Sequence, residues 1–187
     1  MYIYPPYPLT QYHGMSWGPS SSYLSSINFN YNSSWCFVIK FAITDYSVNG
    51  MQWNFNIDDS TATWYNNSAS GQNQGLAYLW TTPTLSSSNI FTGYLLSNIT
   101  TNITTIKQNM QSGIYLNISY NYSTTTIKLE FTSLTGTILG TSTGTFTFVN
   151  KVLPWSLYDD GDGITYYKGI YYNSTGYVPW STYSNYI

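Results

Sequence analysis

The sequence predicts an all-β fold, an antiparallel β-sandwich with an extended N-terminal tail, and three observations carry that reading. Short runs of apolar residues alternate with polar ones at a period of two, the spacing of a half-buried strand. Aromatic residues make up 19 % of the chain and β-branched residues are dense, both suited to a pleated surface. No segment sustains a helical period over about eleven residues. At 187 residues the chain is one domain with room for a sizeable core, divided into a tail over 1–22 and a head over 23–187.

Residues 1–22 are broken by Pro5, Pro6, Pro8, Gly14, Gly18 and Pro19. Proline donates nothing to a strand ladder, so this stretch is extended without being a central strand throughout. Next, 25–31 alternates Ile27, Phe29 and Tyr31. The run 35–44 sets Phe37, Ile39, Phe41 and Ile43 on one side and Lys40 on the other, with Cys36 as a small buried or half-buried residue. Residues 51–57 alternate Met51, Trp53, Phe55 and Ile57, and the Asn/Ser/Gly-rich stretch after them is a loop. Further strands are expected over 75–82, 90–105, 114–123, 125–132, 137–149 and 164–172. In 114–123, Leu116, Ile118, Tyr120 and Tyr122 alternate with Asn117, Ser119, Asn121 and Ser123. In 125–132, Ile127, Leu129 and Phe131 point inward and Glu130 outward. More weakly, Ile99 and Ile103 oppose Asn98, Thr100, Asn102 and Thr104. The core is expected to bury Trp53, Phe55, Ile118, Tyr120, Leu129 and Phe131.

Charged residues are 6 % of the chain, where ordinary soluble proteins carry roughly 25 %. Arginine is absent, and 21 tyrosines share the polar surface with hydroxyl and amide side chains. Such a surface does not titrate below neutral pH and suits an acidic exterior. Five lysines and a net charge of −2 exclude the electrostatic footprint of a nucleic-acid binder. A single cysteine rules out an internal disulfide. Residues 1–10 lack the basic region and apolar run of a secretion signal, so the chain reads either as a mature product or as one made without such a signal. No apolar stretch approaches the roughly 18 residues of a membrane span.

Catalytic constellations do not assemble. The only histidine, His13, lies in the Pro/Gly-rich lead-in, a poor place for a rigid triad. Asp58 and Asp59 loosely match an aspartic-protease loop, but Thr61 stands where glycine belongs, and a turn explains the pair better. Asp159, Asp160 and Asp162 gather before glycines, yet the further ligands and terminal Glu of a calcium loop are missing, so this too reads as a turn. Lys40 and Glu130 raise a Lys–Asn isopeptide crosslink, but both oppose the inward face on which such a bond forms. No catalytic residue, metal or cofactor is assigned.

Seven Asn-x-Ser/Thr triplets begin at Asn32, Asn66, Asn98, Asn102, Asn117, Asn121 and Asn173, where chance composition gives about five. Their placement on polar strand faces and turns marks them as N-glycosylation acceptors. An all-β, charge-poor, Tyr/Ser/Thr/Asn-rich chain with these triplets and a Pro-broken N-terminus resembles the subunits of archaeal thread-type surface filaments of Sulfolobus-like thermoacidophiles. The resemblance implies a glycosylated extracellular filament of immunoglobulin-like or pilin-like heads, each donating an N-terminal strand into its neighbour. The partners are then further copies of the chain, head to tail, and covalent N-linked glycans. In the tail, Ile3, Tyr7 and Leu9 are the apolar residues such a strand would insert. The alternative is a capsid, turret or coat protein of a virus infecting such hosts.

Overall fold

The computed structural model describes residues 2–4, 9–11, 16–17, 27, 29–30, 32–43, 51–57, 77–81, 99–145, 147–148, 152–153, 155–159 and 165–187. In chain order the strands are β1 (Tyr2–Tyr4), β2 (Leu9–Gln11), β3 (Ser16–Trp17), β4 (Phe29–Asn30), β5 (Trp35–Ile43), β6 (Met51–Ile57) and β7 (Ala77–Thr81). After helix α1 (Ile103–Ser112) come β8 (Ile114–Asn121), β9 (Thr126–Ser133), β10 (Ile138–Thr145), β11 (Val152–Leu153), β12 (Trp155–Asp159), β13 (Thr165–Asn173) and the short α2 (Trp180–Tyr183).

The largest sheet runs β1–β13–β5–β8–β9–β10, with β2 also on β13, and every pairing in it is antiparallel. A four-stranded sheet runs β3–β12–β6–β7, and β4 pairs β11. The expected all-β antiparallel sandwich is the architecture observed. The strand expected over 51–57 appears with those bounds, and those near 35–44, 114–123 and 125–132 shift by two residues at most. Neither Trp53 nor Phe55 has a described side chain.

Central strand β5 is covered on both sides, which is why its sequence is nearly continuous in apolar residues. Trp35, Phe37, Ile39 and Phe41 are fully buried on the inner face, in register with Tyr120, Ile118, Leu116 and Ile114 of β8. Leu129 and Phe131 of β9 extend that face. Phe29 lies on it edge-on to Trp35, with ring centroids 4.6 Å apart, and edge-on to Tyr172 at 5.5 Å. Aromatic side chains bury roughly 150–250 Å² each, so this cluster supplies much of the apolar burial.

Helix α1 corrects the expectation of a strand through 98–105 and of a chain without convincing helix. Ile103, Ile106, Lys107 and Met110 are its buried residues, the i, i+3, i+4, i+7 stripe of an amphipathic helix. Ten residues fall short of an eleven-residue window, and the Ile/Thr-rich start resembles a strand. Asn102 opens the helix in the left-handed region (φ 55), and Gly113 (φ 134) ends it with its N–H on the Asn109 carbonyl at 2.7 Å.

Within the expected tail over 1–22, the described residues pair within the chain: Tyr2–Tyr4 and Leu9–Gln11 lie along β13, and Ser16–Trp17 pairs β12. Ile3 is in register with Tyr171 and Leu9 with Tyr167. Tyr7 lies outside the described residues.

Candidate functional site

The outer face of the large sheet carries Cys36, Val38, Tyr115, Asn117, Ser119, Glu130 and Tyr171, and it is not open to solvent. The segment after β13 folds back across it. Val178 and Tyr183 pack with Cys36, Val38, Tyr115 and Tyr171, and Trp180 and Ile187 join from the margin. Asn117 and Cys36 find partners beneath this cover: the Asn117 amide donates to the Val178 carbonyl at 2.9 Å, and the Cys36 thiol donates to Asn117 Oδ1 at 3.2 Å. The Tyr115 hydroxyl donates to the Ile187 carbonyl at 2.9 Å. Burial pushes the Cys36 thiol up to about 12 from an ordinary 9.0, so it stays protonated and unreactive at neutral pH.

Glu130 is 1 % exposed and sits at the centre of a charged cluster. Lys128 Nζ donates to its carboxylate at 2.6 Å, and the Tyr177 hydroxyl donates to it at 3.1 Å. The Lys128 ammonium also stands 4.4 Å from the centre of the Tyr177 ring. Burial first, and the adjacent carboxylate second, push the Tyr177 phenol up to about 12. The cluster is therefore a neutral sum of one cation and one anion tied to a neutral phenol.

Beside it, at the end of the sheet where β5 begins and β8 and β13 end, lies a pocket of about 290 Å³. Its walls include Ser34, Asn121, Thr126, Lys128, Thr175 and Tyr177. Local hydrogen bonds set the rim. In the β8–β9 turn, Asn121 Oδ1 accepts from the Ser123 N–H at 3.0 Å and from its hydroxyl at 2.8 Å. The Tyr122 N–H donates to Ser34 Oγ at 3.0 Å, and Asn173 Nδ2 donates to Thr175 Oγ1 at 2.8 Å. Gly176, at φ +111, adopts the conformation that turns the chain past Ser34.

Of the seven candidate acceptors, Asn32, Asn102 and Asn121 are exposed and Asn173 is half-buried. Asn102 Nδ2 donates to the Leu139 carbonyl at 3.0 Å. Asn117, expected on a solvent face, is instead 1 % exposed. The alternation that placed it opposite the core was right, but that second face is itself covered, and its amide is held by Val178. Glu130 is corrected in the same way: it does oppose the inner face, yet the outer face buries it. Lys40 is half-buried, 5.4 Å from the centre of the Tyr115 ring. Asn66, Asn98, His13, Asp58, Asp59, Asp160 and Asp162 lie outside the described residues, and Asp159 closes β12. No group of three His, Cys, Asp or Glu stands close enough to hold a metal among the described residues. No described helix is long and apolar enough to cross a membrane. The Lys128–Glu130–Tyr177 cluster was missed because Tyr177 lies far along the chain. The available signal was one glutamate flanked by lysine in an otherwise charge-poor strand.

No protein-family model matches the sequence, and no curated protein matches it. Solved structures are similar in fold. The CBM2 module of the evolved Dit of Lactobacillus casei BL23 phage J-1 is 12 % identical, with a TM-score of 0.52 over 93 % of this chain and 77 % of that one. Arcelin-5, a lectin-like defence protein from Phaseolus vulgaris, is 10 % identical, with a TM-score of 0.49 over 81 % of this chain and 77 % of that one. A legume lectin-like domain from Entamoeba histolytica is 9 % identical, with a TM-score of 0.46 over 81 % and 76 %. At such identities the likeness concerns the sandwich fold.

Proposed function

We propose that this chain is a structural subunit of a glycosylated extracellular homopolymer, joined head to tail by passing its N-terminal strand into the sheet of the next copy. The observation that carries the reading is the place of that strand. Tyr2–Tyr4 and Leu9–Gln11 pair β13 on the side away from β5, and Pro5, Pro6 and Pro8 stand between the two pieces. A strand held through one partner can leave while β13 keeps its ladder to β5. The same main-chain pairs made within one copy can be remade between two. Its departure uncovers an edge that so few charges cannot guard, which favours refilling from a neighbour. Donor and acceptor surfaces differ, so repetition builds an open filament rather than a closed ring. Ile3, Tyr7 and Leu9 supply the apolar side chains of the donated segment.

Exposed Asn32, Asn102 and Asn121 support the glycosylated part of the reading, and a non-titrating polar surface supports an acidic exterior. A role in assembly rather than catalysis agrees with a thiol locked in its protonated form. Deleting residues 1–12 tests the proposal. The truncated chain should keep an all-β circular dichroism spectrum, stay monomeric, and bind a synthetic peptide of residues 1–12. Filaments of normal length from the truncated chain would eliminate strand donation.

A further inference from the structure

We propose that the pocket between Ser34, Asn121, Thr126, Lys128, Thr175 and Tyr177 is a binding site for a neutral pyranose unit of a glycan. Its chemistry selects the ligand class. Hydroxyl and amide groups of Ser34, Asn121, Thr126 and Thr175 both donate and accept, the pattern that sugar hydroxyls require. The one cation in the wall, Lys128, is bound to Glu130 at 2.6 Å, so the site offers no net charge to an anion. Glu130 lies beneath that ammonium and is 1 % exposed, so it is not free to hold a cation. Tyr177, 46 % exposed, adds an aromatic wall beside the hydroxyl and amide groups, and this mixed lining suits a sugar, whose ring carries apolar C–H faces between its hydroxyls. A volume of about 290 Å³ is at the small end of ligand pockets, room for one or two sugar units rather than a long chain.

A second, independent observation points to the same ligand. Three acceptor triplets, Asn32–Ser34, Asn121–Ser123 and Asn173–Thr175, converge on this end of the sheet although they are far apart in sequence. Ser34 and Thr175, the hydroxyl residues of two triplets, and Asn121, the acceptor of the third, line the pocket itself. A saccharide attached at this rim stands at the mouth of a cavity suited to receive it. The sugar can come from the chain's own Asn121 or from a glycan on another molecule, and the chemistry of recognition is shared.

Chain made in a bacterial host without N-glycosylation is titrated with the methyl pyranosides of glucose, galactose and mannose and with N-acetylglucosamine, followed by amide chemical shifts. At least one sugar should give saturable shifts at Ser34, Asn121–Thr126, Lys128 and Thr175–Tyr177, with affinity near the millimolar range, about −4 kcal/mol. Thr126→Val and Thr175→Val should each weaken it by about fivefold, the effect of one lost hydrogen bond, while Thr105→Val on α1 should not. Circular dichroism checks that each variant is folded. Native glycosylated protein separates the sources. If Asn121's own glycan fills the pocket, added sugar gives no shifts until Asn121→Gln restores them; if the ligand comes from elsewhere, native and unglycosylated chains titrate alike. Absence of shifts from every sugar in the unglycosylated chain overturns the proposal. So does sulfate moving the same amides more strongly, or unchanged affinity in both threonine variants.

Discussion

Trp35 Nε1–H and the Tyr120 hydroxyl are buried on the inner face and meet no hydrogen-bond partner among the described residues. Each is a desolvated donor, and an unmade bond of this kind costs about 1–3 kcal/mol. What keeps the two side chains is their rings. Trp35 and Tyr120 stand 5.9 Å apart by centroid, and Tyr120 meets Phe148 edge-on at 5.1 Å. Tyr120→Phe preserves these contacts and removes only the hydroxyl, so thermal unfolding should show unchanged stability or a gain of up to about 1 kcal/mol. A loss larger than that would mean the hydroxyl is bonded. Asn117 presents the opposite case, because its amide donates to Val178 and its oxygen accepts from Cys36. Tyr120 and Asn117, both on β8 and both polar or half-polar in sequence, thus differ in sign of effect, and only their surroundings distinguish them.

The segment from Thr175 to Ile187 decides how the outer sheet face behaves, and its fit depends on glycines. Gly136 lies in the β9–β10 turn at φ +90, and a Cβ there would come within 2.6 Å of the Trp180 ring. Gly136→Ala combines an unfavourable backbone with a clash, so chemical denaturation should report a loss of about 1–3 kcal/mol. The same substitution at Gly140 would meet Ile106 Cδ1 at 2.9 Å, where a methyl group can shift, and should be milder. Strand positions were legible in the sequence because each buried strand signals through its own alternation: Ile118 and Tyr120 on one side, Asn117 and Ser119 on the other. What covers the second side was not legible. Nothing in the local sequence of β8 states that Val178 and Tyr183, some sixty residues onward, lie over Asn117 and Tyr115. Helix α1 escaped for a different reason: tertiary burial of Ile103, Ile106 and Met110 overrode the weak helix propensity of its Ile and Thr residues. The pocket likewise forms from three separated turns, and only the recurrence of Asn-x-Ser/Thr triplets marked its rim beforehand.

Across the molecule, burial sorts both the acceptors and the titrating groups. Intact mass spectrometry of native protein should exceed 21.2 kDa by several glycans, and site-resolved fragmentation should find Asn32, Asn102 and Asn121 occupied and Asn117 bare. A bare mass would remove the extracellular reading. A second whole-molecule property follows from tyrosine taking the place of charge. Burial raises the phenols of Tyr115, Tyr120, Tyr171 and Tyr183 above their ordinary 10.0, takes Tyr177 to about 12, and takes Cys36 from 9.0 to about 12. Below about pH 9 both folded and unfolded chains hold these protons, and the groups leave stability independent of pH. Above it the unfolded chain loses its protons first, so it binds fewer than the folded one and stability falls as pH rises. The melting temperature should therefore drop between about pH 9 and 12, and the share of tyrosinate absorbance that comes from the buried phenols should grow in step with unfolding. Cys36→Ala should move the onset of that fall to higher pH, since the thiol is the first of these groups to ionise in the unfolded chain. A melting temperature that holds steady to pH 12 would contradict the burial of these phenols and of the thiol beneath the C-terminal cover.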